Sequence, residues 1–306
     1  MNKIAVVVLG YKNRYHNKEY HLVNNLHNFD KKYDVYLALQ KNDPCLNEYY
    51  NIVKEDEHVK ILVFDVTSAS TKRDAIYNYL LEHGYDGYFQ YDDDVNFVAY
   101  KIDESTKRET SNTYRSYKCD MNEMLDKIIS VAREKDAAYV SVTRWGFLGW
   151  QKPNTVKMNM GINPAQFAYF DINKMHACGA KYHLKEEVYE DIDMLLQLMQ
   201  AGYNVCQVCD YMYKTCNTTD KSGKSSVAFA GSDKIELIEI GTYMKYHGDL
   251  KLDREGNFIR CKINVKQYFN THELPPIKDT ELYELCKTKD LPKIREYLRN
   301  KKLNSK

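Results

Sequence analysis

The feature that most constrains this chain is a short apolar strand that ends in three consecutive carboxylates. Residues 85–91 read YDGYFQY, and Asp92, Asp93 and Asp94 follow at once. Aromatic residues alternating over so short a run predict a buried β-strand. Three acids at the end of such a strand repel one another unless something positive lies beside them. A divalent cation bridging to a diphosphate would supply that charge. Hard ions such as Mg2+ or Mn2+ prefer oxygen ligands, and they use one or two carboxylates while leaving positions for phosphate oxygens. A solvated acidic turn is the plainer alternative, and the buried strand ahead of the run favours the metal.

The flanking pattern sets the fold class. Lys3–Leu9 is a nearly continuous apolar run that stops at Gly10, and Asp34–Gln40 and Val59–Asp65 are similar runs. Each reads as a strand buried on both faces. A helix is predicted over Ser70–Leu81, with Ser70 as its cap and Ala75, Ile76, Tyr79 and Leu80 on one face. It stops at Gly84, and the strand Tyr85–Tyr91 follows. Strands alternating with helices in this way predict an α/β fold with a mostly parallel central sheet and right-handed crossovers. Ligands of such sheets bind beyond the C-terminal strand ends, where the acidic run lies.

The rest is less regular. Lys101–Lys118 reads as a long polar surface loop, Asn122–Arg133 as a helix and Ala137–Thr143 as a strand. Trp145–Met160 holds both tryptophans and reads as a binding loop. Strands over Gln166–Ile172 and Val205–Tyr213 flank a helix over Glu190–Ala201. Asp233–His247 reads as a helix, Leu250–Val265 as a hairpin turning at Glu255-Gly256-Asn257, and the tail from Asp279 as helical. The simplest organisation is one domain over residues 1–250, in two halves, 1–99 and 100–250. A hairpin and basic helical extension over 251–306 completes it.

Composition excludes some functions. With 44 basic and 43 acidic residues the formal charge is +1, so no global field draws the chain to nucleic acid or membrane. A polyanionic partner would have to meet a local patch. Lys287–Lys306 holds eight Lys/Arg against two acids, although a solvated helix face explains such a tail equally well. Tyr114-Arg115-Ser116-Tyr117-Lys118 interleaves aromatics with cations, as unstacked bases require. The apolar run Ile4–Leu9 is too short to span a bilayer, and no signal peptide or membrane partner is expected. Eight scattered cysteines (45, 119, 178, 206, 209, 216, 261 and 286) point to reduced thiols and a cytoplasmic setting. Cys206-x-x-Cys209 with Cys216 suggests zinc, but the strand-like alternation from Tyr203 to Thr215 and the lack of a second pair argue against it.

The stretch from Thr71 to Phe97, TKRDAIYNYLLEHGYDGYFQYDDDVNF, resembles the nucleotide-sugar half of GT-A glycosyltransferases. The resemblance implies a DxD-type motif in which Asp92 and Asp94 are the outer carboxylates and metal ligands, with Asp93 facing the ribose. Arg73 would approach the diphosphate or base, since guanidinium pairs bidentately with phosphate; Asn78 reads equally as an exposed helix residue. The loop Gly10-Tyr11-Lys12-Asn13-Arg14 resembles the nucleotide cradle of these enzymes, implying donor roles for Gly10, Tyr11 and Arg14. Asp65 would hold uracil or ribose. His247, in YHGD, resembles a C-terminal metal ligand, although a surface or capping histidine before glycine is the commoner reading.

A second element is EVYEDID, residues 187–193, opening the amphipathic run MLLQLMQAGY. Acids at a helix start suit the helix dipole. The pattern also resembles the acidic pair beneath the acceptor in GT-A enzymes, where one carboxylate acts as base in inverting members. That implies Asp191 as base or acceptor anchor, with Glu190 and Asp193 as competitors.

Together with Arg144-Trp145-Gly146 and the segment Ser226–Asp249, these motifs resemble the TET-associated glycosyltransferases, a phage and eukaryotic group related to the base J glucosyltransferase. The resemblance implies sugar transfer from a UDP-sugar, with Mn2+ or Mg2+, to a hydroxymethylated pyrimidine in DNA, in a host cytoplasm if the gene is phage-borne. Arg144, Trp145 and Trp150 would then contact the acceptor. Trp145 and Trp150 would equally suit a sugar ring, which keeps a capsule or lipid-linked glycan acceptor open. A non-catalytic nucleotide-sugar or nucleic-acid module is a third reading, opposed by the intact DDD and EDID. A nuclease or polymerase would need a second Asp-bearing strand that is missing.

Overall fold

The computed structural model describes residues 3–11, 26–54, 56–93, 95–111, 113–145, 152–159, 167–182, 190–215, 251–252, 261–262, 277, 279–288, 290, 292–294, 296–297 and 300. The chain forms two compact units, Met1–Lys181 with Tyr203–Asn217, and Tyr182–Gly202 with Thr218–Lys306.

The first unit is built on one sheet. Its four leading strands are β1 (Ile4–Leu9), β2 (Asp34–Gln40), β3 (Val59–Phe64) and β4 (Gly87–Asp92). They pair in parallel in the order β3-β2-β1-β4, as their apolar runs predict. The helix α1 (Leu46–Val53) follows β2, and α2 (Ala69–Glu82) lies between β3 and β4. Beyond β4 the sheet continues through β9 (Phe167–Asp171), β7 (Ala137–Arg144), β10 (Asn204–Thr215), β5 (Val95–Lys101) and β6 (Tyr117–Cys119), and β8 (Val156–Met158) pairs with β10. The strands β5, β8 and β9 run against the rest. The helix α3 (Met121–Glu134) precedes β7, burying Met124, Leu125, Ile128 and Val131, and α4 (Ile172–Cys178) follows β9.

β4 is held by rings. Tyr88 lies opposite Phe170, Phe89 opposite Tyr169, and Tyr91 opposite Phe167. Tyr91 and Phe167 stack with centroids 4.1 Å apart, and Tyr88 and Phe170 at 5.2 Å. Such cross-strand aromatic pairs each contribute about 0.5–1.5 kcal/mol beyond area burial. They fix the strand whose end carries the acids.

Several elements depart from the sequence expectation. The cap of α2 is Ser68, not Ser70: the Thr71 amide donates to Ser68 Oγ and the Ser68 amide to Thr71 Oγ1, both at 3.1 Å. This reciprocal pair satisfies two end donors, which Ser70 cannot do from inside the helix, where it is buried. The buried face of α2 runs through Lys72, Arg73, Ile76, Tyr77 and Leu80, with Tyr79 half-buried against Tyr36 and Phe64 and Ala75 only half-buried. Lys101–Lys118 is not one loop. It begins at the end of β5, makes a 3-10 turn at Glu104–Thr106 and enters β6; these pieces are short and polar and lack a periodic signal. β8 lies within the stretch expected to be a binding loop. Gly84 does end α2, at φ +70°, a conformation glycine adopts without cost.

In the second unit, α5 (Glu190–Gln200) buries Met194, Leu195, Leu196, Leu198 and Met199 and gives way to Gly202 at φ +86°. β11 (Lys251–Leu252) and β12 (Cys261–Lys262) pair antiparallel, as a hairpin requires; its turn at residues 255–257 lies outside the described residues. So do the helix expected over 233–247 and the segment 226–249. In the tail, α6 (Thr280–Thr288) packs Leu282 and Cys286 with Ile294, and the Tyr297 hydroxyl donates to Asp279 at 2.7 Å.

Because Phe167 is fully buried and stacks on Tyr91, Phe167→Ala should destabilise the chain by about 3–5 kcal/mol. Urea unfolding followed by near-ultraviolet circular dichroism measures this, and a loss under about 1 kcal/mol would contradict the zipper.

Candidate active site

The parallel strands bring their C-terminal ends to one sheet edge. In spatial order these ends carry Asp65 after β3, Asp43 after β2, Gly10 after β1 and Asp92 closing β4. Beyond the N-terminal end of β9, β7 closes on Arg144, followed by Trp145. Two strand spacings separate β4 from β7, about 10 Å. Only three residue steps separate Asp92 from Val95, a span of at most about 11 Å. Val95 pairs with Thr215, and the Trp145 amide donates to the Tyr213 carbonyl at 2.7 Å. The sheet therefore curls so that the acidic turn and Trp145 share one region.

Gly10 is required by close approach. Its amide donates to the Ala38 carbonyl at 2.9 Å, and a Cβ there would collide with the Leu39 side chain. Tyr11 follows, half-buried. Asp65 is exposed and pairs with Lys41 at 3.3 Å, a surface contact.

The acids meet cations from α2. Arg73 is buried, at 7% exposed, and its Nη2 donates to Asp92 Oδ1 at 3.0 Å. Lys72 is 3% exposed and donates to the Gly10 carbonyl at 2.8 Å. Burial pulls the Lys72 ammonium below the usual lysine range, against the opposing attraction of Asp93 and then Asp43. Asp93 is 2% exposed and Asp43 is buried beside it in the charge network. Asp43 is fixed by a local turn, its Oδ1 accepting the Cys45 amide at 2.9 Å.

Asp92 is the part-exposed carboxylate of the edge, its Oδ1 held by Arg73, and would be the one to reach a divalent ion. Among the described residues no three metal-ligating groups converge. Asp94 and His247, expected as further ligands, lie outside the described residues, as do Arg14 and Trp150. Cys206 and Cys209 are buried on β10, where burial pushes the Cys206 thiol up to about 11, and Cys216 is also outside.

At the end of β7, Arg144 is exposed and Trp145 is 42% exposed. The Trp145 ring is fixed by its Nε1 donating to Ser116 Oγ at 3.1 Å. The Lys214 ammonium lies 4.0 Å from the Trp145 ring centroid and 4.3 Å from that of Tyr100, a cation between two π faces. Asn78 is exposed on α2, facing Asp74. In the second unit Glu190, Asp191 and Asp193 form the first turn of α5. Asp193 is buried and its Oδ2 accepts from the Gln197 side-chain Nε2 at 2.8 Å, Glu190 is buried, and Asp191 is exposed.

The structure thus brings Gly10, Arg73, Asp92 and Asp93 together and aligns Asp65, Arg144 and Trp145 along the same edge. The sequence reading missed Lys72, Asp43, Tyr100 and Lys214. The adjacency of Lys72 to Arg73 at the start of α2 was the one available signal, since the two share the helix's inward face.

Comparison with known proteins agrees with this architecture. The TarS protein of S. aureus (residues 1–349, in complex with UDP-GlcNAc) superposes with a TM-score of 0.51 at 11% identity, covering 97% of this chain and 92% of that one. A mannosyltransferase from Pyrobaculum calidifontis in complex with GDP-Man and Mn2+ gives 0.49 at 11% identity, covering 79% and 63%, too distant to carry an argument. No curated protein matches the sequence. The TET-associated glycosyltransferase family matches residues 8–224. The fold is that of GT-A glycosyltransferases, and the chain is a glycosyltransferase of the TET-associated family.

Proposed function

We propose that this enzyme transfers a sugar from a UDP-sugar, with Mn2+ or Mg2+, to the hydroxyl of a hydroxymethylated pyrimidine in DNA. The meeting of Asp92 with the buried Arg73 at the C-terminal sheet edge carries this reading. UDP-GlcNAc bound to TarS supports a uridine donor. The family match supports the DNA acceptor.

Asp92, with Asp94 and His247, would hold the metal, which when bound neutralises the diphosphate as it leaves. Arg73 would exchange partners. Before the donor binds it holds Asp92; the diphosphate then offers it a second anion, releasing Asp92 for the metal. Gly10, Tyr11 and Arg14 would cradle the nucleoside, with Asp65 at the rim of the site. Asp191 is the exposed acid of its turn and would take the acceptor hydroxyl proton, with Glu190 and Asp193 shaping the turn. Trp145 and Trp150 would stack on the extruded base, and Arg144 would meet a backbone phosphate.

Purified protein with Mn2+ and a panel of UDP-sugars should hydrolyse one donor slowly without acceptor. Turnover of none, under any divalent ion, would sink the reading. Arg73→Ala should lower donor affinity about 10- to 100-fold through loss of a charge-assisted bond, measured by calorimetry with UDP. Asp191→Asn should leave UDP binding within about twofold and lower transfer by about 10²–10⁴-fold. Nucleoside mass spectrometry after incubation with hydroxymethylated DNA should show a hexosyl or pentosyl adduct; labelled oligosaccharide with unmodified DNA would move the acceptor to glycans.

A further inference from the structure

Lys72 has no part in the donor chemistry set out above, yet it is the most deeply buried cation among the described residues, at 3% exposed. A lysine ammonium is taken out of water only where anions replace its hydration. Three strand ends supply its surroundings. The carbonyl of Gly10, after β1, accepts its proton at 2.8 Å. Asp43, after β2, and Asp93, after β4, are its principal charge partners, with Asp92 weaker. All of these groups except Asp92 are buried.

We propose that Lys72 is a positioning residue: the resident cation of the sheet edge, which neutralises Asp43 and Asp93 and pins the end of β1, leaving Asp92 as the carboxylate for an exchangeable divalent ion. This rests on the donor-site reading and divides the acidic run by role. Asp93 belongs to the protein's internal charge balance. Asp92, whose one oxygen is held by Arg73 at 3.0 Å, faces the exchangeable cation. Asp93, at 2% exposed, is withdrawn from solvent and lies in the field of the Lys72 ammonium.

The consequence is distinctive. Removing the ammonium leaves Asp93 and Asp43 without their counter-charge, so the edge should become more avid for divalent cations. A lysine that merely packs would lower stability and leave metal affinity unchanged. The test is Mn2+ titration followed by the electron paramagnetic resonance signal of the free ion, with no nucleotide present, on the full chain. Lys72→Met should bind Mn2+ about tenfold or more tightly than wild type. Lys72→Met combined with Asp93→Asn, which removes both charges, should return the affinity to within about threefold of wild type. Unchanged or weaker Mn2+ binding by folded Lys72→Met overturns the proposal. If Lys72→Met alone does not fold, the double variant decides, and it should fold because one buried charge of each sign leaves and the net charge of the edge, Asp43 included, is unchanged. A double variant that also fails to fold, or that folds without wild-type Mn2+ affinity, overturns it as well. Because the titration uses no donor, wild-type protein that turns over no UDP-sugar would defeat the donor reading while the Mn2+ ratio still judges Lys72.

Discussion

Tyr91 and Phe167 stack 4.1 Å apart between β4 and β9, and the position of the acids that end β4 follows from that contact. β4 is bounded on one side by the parallel β1 and on the other by the antiparallel β9. Its side chains are aromatic, so their registry with Phe167, Tyr169 and Phe170 is set by ring packing rather than by small interchangeable aliphatics. A strand clamped in this way cannot slide. The end of β4 is therefore a fixed point, and the carboxylates on it are delivered to one place.

That fixed point imposes an electrostatic demand. Asp93 is buried and Asp92 half-buried, and neighbouring anions in a low-dielectric edge cost several kcal/mol unless cations accompany them. The helix α2 answers with two successive basic residues on its first turns. The Ser68–Thr71 capping box sets where those turns begin. Arg73 reaches outward to Asp92 and Lys72 lies against the Gly10 carbonyl. Cap, helix phase and ion pairing form one chain of cause. A helix starting two residues later, at the Ser70 cap, would change which residues its first turn presents.

Much of this was legible in the sequence because it depends on local pattern. The four leading strands are unbroken apolar runs, and β4 announces itself through alternating aromatics. Arg73 was legible through the DDD-containing stretch it precedes. The α5 acids were legible because they open an amphipathic helix. What escaped depends on distant pairing. β5 acquires its place by pairing with β10, more than a hundred residues downstream, and β6 by pairing with β5; VNFVAYK shows no strict alternation and YKC is too short to show one. Lys72 was hidden because a lysine in the first turn of a helix ordinarily reads as solvated, and only Asp43 and Asp93 make its burial tolerable. Lys214, between Tyr100 and Trp145, likewise needs three separate segments to become visible.

The central claim is that the donor nucleotide binds at the edge formed by the ends of β1 and β4 with the start of α2. Photolabelling with an azido-uridine diphosphate sugar in the presence of Mn2+, followed by peptide mapping, tests it most directly. The account predicts label on peptides from residues 3–11 or 69–93, displaced by excess UDP. Displaceable label confined to peptides elsewhere in the chain would contradict it.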